Sequence, residues 1–218
     1  MTDHSGSQEA PPTRPEEIVV SIVLLAAGKA SRMGPGGPHK LLAEFDGIPL
    51  IRRAAMTALG TSAVSVTVVT GHRHAEIGEA LEGLALERAH NPDYALGMAS
   101  SLVTGFLSEQ RRHADGILVM HADMPAITTA DLEILMAAFR QASGKAVVRA
   151  AAGGKRGNPV ILPNFLFGKV LRLQGDIGAR HLIEASEAPV IDVDIGPGAL
   201  LDVDTPEAVV AAGGILTT

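Results

Sequence analysis

Along the chain, hydrophobic residues come in short unbroken runs that alternate with stretches of helical period, and glycine or proline marks nearly every junction. Residues 19–26, VVSIVLLA, have no polar alternation and are bounded by Gly28, which predicts a strand buried on both faces. Residues 63–69 are rich in β-branched side chains and predict a second strand; residues 84–88 predict a short third, and the aliphatic run 116–120 a fourth. Between them lie predicted helices. One starts at Pro49, which suits a first turn, and runs to Leu59 with Leu50, Ile51, Ala54, Ala55 and Leu59 on one face and Gly60 as its stop. A second covers 73–81 and a third opens at the Gly97 loop and continues through Phe106; a fourth, through about Gln141, is announced by a Thr128/Asp131 capping box. Beyond it the pattern loosens. Short strands are expected at 146–150 and 159–162, flanking a loop at 153–158, helices at 164–173 and 177–185, and late strands at 190–193 and 200–203. Asp204-Thr205-Pro206-Glu207 opens a final helix. This alternation predicts an α/β protein, a three-layer, doubly wound, mostly parallel sheet whose ligand site lies off the C-terminal ends of the strands. A single domain is expected over 18–218, after a polar, proline-bearing and disordered leader at 1–17.

The loop after the first strand carries the densest chemistry. It contains Gly28, Gly34, Gly36 and Gly37 together with Lys29, Arg32, His39 and Lys40, so exposed backbone amides are paired with cations expected to be charged at neutral pH. Such a loop suits a polyphosphate. Neither glycine cluster is followed by Lys and then Ser or Thr, which excludes a Walker A loop, and the GxGxxG spacing of dinucleotide folds is missing. The segment instead resembles the nucleotidyltransferase signature LxAGxxxRMG followed by Lys, through Leu25, Ala27, Gly28, Arg32, Met33, Gly34 and Lys40.

Composition narrows the partners. Hydrophobic residues at 46% can fill a core, but aromatic residues at 3% provide no stacking platform for single-stranded nucleic acid. A formal charge of -6 argues against nucleic-acid and anionic-membrane surfaces, so an anion must be held locally. With no cysteine there are no disulfides, thiolate metal sites or cysteine nucleophiles, in keeping with a cytoplasmic protein.

Three aspartates are placed for a hard cation. Asp123 follows the 116–120 strand directly, and Asp202 and Asp204 alternate across Val203 and share a face if that segment is extended. One carboxylate from each region can bracket Mg2+, which keeps several waters and is completed by substrate phosphates. Asp204 suits a helix N-cap equally well. Ser100 and Ser101 likewise suit either N-capping or ligand contact. His72 and His74 have metal-compatible spacing but are expected to be exposed and lack a supporting carboxylate set; His121 is expected to be packed at a strand end. No GxSxG elbow is present, which disfavours a Ser-His-Asp hydrolase.

Over residues 18–213 the chain resembles nucleotidyltransferases of the molybdenum cofactor cytidylyltransferase type, within the Rossmann-like nucleotide-diphospho-sugar transferase superfamily. The resemblance rests on the first loop, Gly71-His72, Asn91 with Tyr94 and Gly97-Met98-Ala99-Ser100-Ser101, Ala122-Asp123-Met124-Pro125, Arg156-Gly157-Asn158-Pro159, Gly175-Asp176-Ile177-Gly178-Ala179-Arg180 and Asp202-Val203-Asp204-Thr205-Pro206. It implies transfer of CMP from CTP to molybdopterin or its molybdenum-loaded form, with release of pyrophosphate. Arg32, Lys40 and Asp123 would be catalytic. Leu25, Ala26, Ala27, Gly28, Gly34, Gly71, Gly97, Met98, Ser100 and Ser101 would bind the nucleotide. Arg156, Gly157, Asn158, Pro159, Asp176 and Arg180 would face the acceptor, and Asp123 with Asp204 or Asp202 would hold Mg2+. The family often has His where Asn158 stands. GTP in place of CTP, another small phosphorylated acceptor, and a non-catalytic carrier delivering cofactor to a molybdoenzyme are the alternatives.

Overall fold

The computed structural model describes residues 17–34, 37–109 and 113–216 of the 218-residue chain; the leader expected at 1–17 lies outside them except for Glu17. Seven strands form one sheet in the order β5 (Glu87–His90), β4 (Val66–Thr70), β1 (Val20–Ala26), β6 (Gly116–His121), β8 (Lys155–Pro163), β7 (Val147–Ala152), β9 (Val190–Asp194). β5, β4, β1 and β6 pair in parallel, β8 is antiparallel to both β6 and β7, and β7 pairs in parallel with β9. The chain moves outward from β1 to β4 and β5, then returns across β1 to β6. A topological switch point therefore opens between β1 and β6, where the connections leave in opposite directions and a crevice forms at the strand ends.

Both faces of the sheet are covered, which is why β1 reads as an aliphatic run. Val20, Ile22 and Leu24 of β1 pack with α1 (Leu50–Leu59), α2 (His74–Ala80) and α4 (Thr129–Gln141); Val23 packs on the opposite face with α3 (Met98–Glu109). That second layer is completed by α5 (Phe167–Val170) and α6 (Ala179–Glu184), while α7 (Pro206–Ala211) joins the first through Val209. The Thr128/Asp131 capping box is present at the start of α4. A two-stranded hairpin, β2 (Glu44–Phe45) with β3 (Ile48–Pro49), leads into α1.

Several elements differ from the sequence pattern. Pro49 is the last residue of β3, with ψ at 137°, and the helix begins one residue later. The third strand is 87–90 rather than 84–88, because the segment before it is held in turns by Leu84 N to Leu81 O and Leu86 N to Leu84 O bonds. The expected loop 153–158 is mostly β8: only Gly153 and Gly154, with φ of 53° and 77°, form the turn, and pairing resumes at Lys155. The helices expected at 164–173 and 177–185 are shorter, a 3-10 turn plus one helical turn and six residues respectively. Residues 200–203 make no strand. A 3-10 turn at Pro197–Leu200 is followed by an extended stretch whose Val203 amide bonds the Asp123 carbonyl at 2.9 Å.

The antiparallel β8 has a direct consequence for the crevice. Because it runs against β6, its beginning, with Arg156, Gly157 and Asn158, lies at the same edge as the ends of β1 and β6. No described helix is long and apolar enough to cross a membrane.

Candidate active site

At the end of β1 the chain turns through Ala27 and Gly28 into a 3-10 turn, Ser31–Met33, whose preceding residue Ala30 has φ 51°. A second 3-10 turn, Lys40–Leu42, aims the Lys40 side chain back at the strand ends. There the ammonium lies 2.6 Å from Asp123 Oδ2 and 2.6 Å from Asp204 Oδ1. The Lys40 and Asp123 side chains are only 12% and 17% exposed, so this ion pair is shielded from water. Arg32 donates from Nη1 to the other Asp204 oxygen, but its side chain is 70% exposed.

Electrostatics follow from this clustering. Burial alone would lower the Lys40 pKa; the Asp123 charge and the hydrogen bonds to Asp123 and Asp204 outweigh it, and the pKa is raised. Burial likewise favours protonated Asp204, yet the Lys40 bond and charge, with Arg32, hold its pKa below the ordinary value. Asp202 lacks such a partner. Its pKa is raised by burial, then by the neighbouring charges of Asp204 and Asp123. Thr205, not Asp204, caps α7, accepting from the Ala208 amide at 3.2 Å. That settles the N-cap alternative and leaves the Asp204 carboxylate for the crevice.

His39 departs from expectation. It is 3% exposed, its Nε2 lies 3.3 Å from the Gly28 carbonyl and its Nδ1 accepts from the Leu41 amide. Burial is the main cause that pushes its pKa down to about 4, so it is a neutral strut bracing the loop rather than a charged contact for phosphate. Its place in the run before Lys40 was the available signal.

A cavity of about 370 Å³ runs along this edge. Leu25, Ala26, Ala27 and Gly28 form one wall; Gly97, Met98 and Ser101 form another, and Arg32, Lys40, Asp123 and Asp204 meet at its end. Ser100 and Ser101 fall inside the first turn of α3, so neither is its N-cap. The buried Asn91 holds both, its Nδ2 donating to Ser100 Oγ at 2.9 Å and Ser101 Oγ at 3.0 Å. Gly71 supports the site without lining this cavity, since a Cβ there would lie 2.7 Å from the Tyr94 Cβ and 2.8 Å from the Ala27 Cβ. Gly34 faces a separate small cavity with His39, His72 and Arg73. In that region His72 Nδ1 is buried with no hydrogen-bond partner among the described residues, and the ring stacks on His39.

A second cavity, about 610 Å³, adjoins the first along Leu25, Met98 and His121. Arg156, Gly157, Asn158 and Arg180 line it, whereas Pro159 does not. A third hollow links Arg156, Gly157 and Asn158 to Asp123, Asp202 and Asp204. Asp176, expected at the acceptor, lines the smaller cavity instead, because its carboxylate lies 3.4 Å from the Met98 amide at the start of α3, where free amides attract an anion. The two walls touch through backbone. Gly97 has φ 109°, and a Cβ there would sit 2.5 Å from the Gly175 carbonyl, whose oxygen accepts from the Ala99 amide.

The donor set suits a divalent cation. No group of three His, Cys, Asp or Glu converges on a point among the described residues. Mg2+ needs no such cage, only one or two carboxylates plus phosphates and water. Asp123 and Asp204 already bracket a positive charge, that of Lys40.

Comparison with known proteins bears on the fold and the reaction class. Purine catabolism protein PucB of Bacillus subtilis is 28% identical over 201 residues, covering 85% of this chain and 91% of that protein. The solved Rv0371c homologue from Mycobacterium sp. strain JC1 is 28% identical with a TM-score of 0.77, over 88% of this chain and 94% of that one. A solved nucleotidyl transferase from Methanothermobacter is 25% identical with a TM-score of 0.74, over 89% and 95%. Residues 22–190 match the family model of the MobA-like NTP transferase domain, from the first strand to the start of the last. The chain belongs to the MobA-like NTP transferase family and is a nucleotidyltransferase.

Proposed function

We propose that the protein transfers CMP from CTP to molybdopterin, or to its molybdenum-loaded form, and releases pyrophosphate. The observation that carries the proposal is the Lys40 ammonium held between Asp123 and Asp204, where a nucleotide-sized cavity meets a larger one. The cytidylyl preference is supported by the Gly97–Ser101 segment, which resembles the cytidylyl branch. The molybdopterin acceptor is supported by the wider second cavity.

In this mechanism the Gly28 loop amides and Arg32 receive the triphosphate. A terminal phosphate of the acceptor is already an anionic nucleophile, so no general base is needed. Its oxygen attacks the α-phosphorus in line, and the bond to the β-phosphate bridging oxygen breaks. Lys40 and Arg32 stabilise charge on the five-coordinate phosphorus and on departing pyrophosphate. Mg2+, held by Asp123 and Asp204 with Asp202 beside them, would supply charge neutralisation on the phosphates.

The test is binding of CTP and GTP, each with and without Mg2+, followed by pyrophosphate release on adding molybdopterin. CTP-selective, Mg2+-dependent binding with acceptor-stimulated release is expected. A preference for GTP would move the reaction to guanylyl transfer, and release with other phosphorylated acceptors but not molybdopterin would reassign the acceptor.

A further inference from the structure

The larger cavity contains a cation that nucleotide chemistry leaves unused. Arg149 on β7 is 7% exposed and lines that cavity beside Leu25, Leu102, Val119, Val160 and Ile183. An arginine in such an apolar wall is costly unless its donors are met. Asp192 on β9 meets one edge: its Oδ1 accepts from Nε at 2.8 Å and lies 2.8 Å from Nη2. A guanidinium carries five N–H donors, so the fork has capacity beyond that carboxylate oxygen.

The sheet register gives the scale. Val119 of β6 lies opposite Val160 of β8, which lies opposite Arg149 of β7. Arg149 is thus two strands from β6 and three from β1, about 10 to 14 Å across the sheet at about 4.8 Å per strand, and level with Val119, four residues or about 13 Å along the strand before Asp123. A four-carbon phosphate does not bridge that gap. A fused heterocycle with a phosphate on a side ring does. The exposed Arg156 and Arg180 near the mouth suit the phosphate end, the aliphatic wall suits a flat body, and Arg149 is left for the far end.

We propose that Arg149 is a specificity-determining anchor for the acceptor, its remaining N–H donors taking a carbonyl or carboxylate oxygen at the end of the acceptor opposite its phosphate. The inference rests on the nucleotidyl-transfer site described above, because that site fixes where the acceptor phosphate must lie.

The experiment uses the full chain saturated with CTP and Mg2+ and follows the fluorescence of pterin-6-carboxylate as it is titrated in, for wild type, Arg149→Met and Arg149→Met/Asp192→Asn. The double variant removes the charge that Arg149 leaves behind, so a merely structural role for the ion pair is repaired by it. The expected result is binding by wild type, weakened at least tenfold in both variants, with CTP affinity within twofold throughout. No binding by wild type, unchanged binding by Arg149→Met, or recovery in the double variant overturns the proposal. Molybdopterin-stimulated pyrophosphate release is read separately: pterin binding that needs Arg149 without such release keeps this inference and removes molybdopterin as the acceptor, whereas release that is insensitive to Arg149 does the opposite.

Discussion

On the nucleotide side of the crevice, polar groups are backbone amides and side chains fixed by buried neighbours: Asn91 behind the two serines, His39 behind the loop, Lys40 between two carboxylates. On the acceptor side they are long cations at the start of β8 and on a six-residue helix, with Arg180 83% exposed and, among the described residues, paired with Glu184 one turn on. The first arrangement is set before a ligand arrives. The second must be ordered by the ligand, at a cost of about 0.5–1.5 kcal/mol per long side chain. Changes on the nucleotide side should therefore act on kcat, and changes on the acceptor side on the acceptor KM. Two residues cross this contrast: Arg32, exposed although it belongs to the nucleotide side, and Arg149, buried and held by Asp192 although it lines the acceptor cavity.

The largest expected effect is at Asp123. Asp123→Ala should reduce transfer by about 10³-fold or more while the protein keeps its far-UV circular dichroism, since the carboxylate lies at the strand mouth rather than in the core. Near-normal turnover would remove Asp123 from the mechanism. Next comes Lys40→Ala, with kcat down by about 10²- to 10³-fold and CTP KM little altered. The same variant separates two roles of the ammonium. With Lys40 gone, Asp123 loses its cation and Asp204 keeps the exposed Arg32, so Mn2+ binding to the nucleotide-free protein, read by electron paramagnetic resonance, should tighten.

Gly97→Ala tests the seam between the two sides. A side chain at φ 109° costs about 1–3 kcal/mol, and here it also meets the Gly175 carbonyl. KM should rise about tenfold for both substrates; a rise for one alone would mean that the walls are independent.

The pH dependence of stability tests the buried strut. His39 titrates near 6.5 when unfolded and at about 4 when folded, so between these values the unfolded chain binds more protons and stability falls as pH falls. The loss, at most about 3 kcal/mol, should be complete near pH 4 and absent above about 6.5. Urea unfolding of wild type and His39→Gln across that range should show a steeper loss in wild type, the difference between them being the His39 contribution. The smallest effect is expected for Arg180→Ala, a severalfold rise in acceptor KM with CTP binding unchanged.

Legibility in the sequence followed the same divide. β1, β4, β6 and the capped α4 are continuous or periodic patterns because they are buried on both faces or capped locally, and such signals lie within a dozen residues. A ligand site off the C-terminal strand ends followed from that alternation, whereas its place between β1 and β6 needed the strand order. β8 was harder: Arg156 to Asn158 are polar and glycine-bearing and look like a loop, and only pairing with β7 makes them strand. Residues 200–203 failed for the opposite reason: their leucines are exposed, and Val203 is buried by docking its amide on the Asp123 carbonyl rather than by a ladder. Asp176 was assigned by its neighbours in the chain, whereas its place is set by the start of α3, far away in sequence. His39 and Arg149 were invisible as a strut and a cavity wall because burial, not residue type, defines both.

The cation seat also has a place in time. Lys40 is 83 residues from Asp123 and 164 from Asp204, and the Val203 amide docks on the Asp123 carbonyl. During synthesis the parallel strands β1, β4, β5 and β6 leave the ribosome first, yet Lys40 has only half of its partner set until the segment around Asp204 follows, seconds later. A nascent chain holding the whole nucleotide loop is thus still an incomplete enzyme, and its chemistry switches on only once the segment around Asp204 has been made and docked.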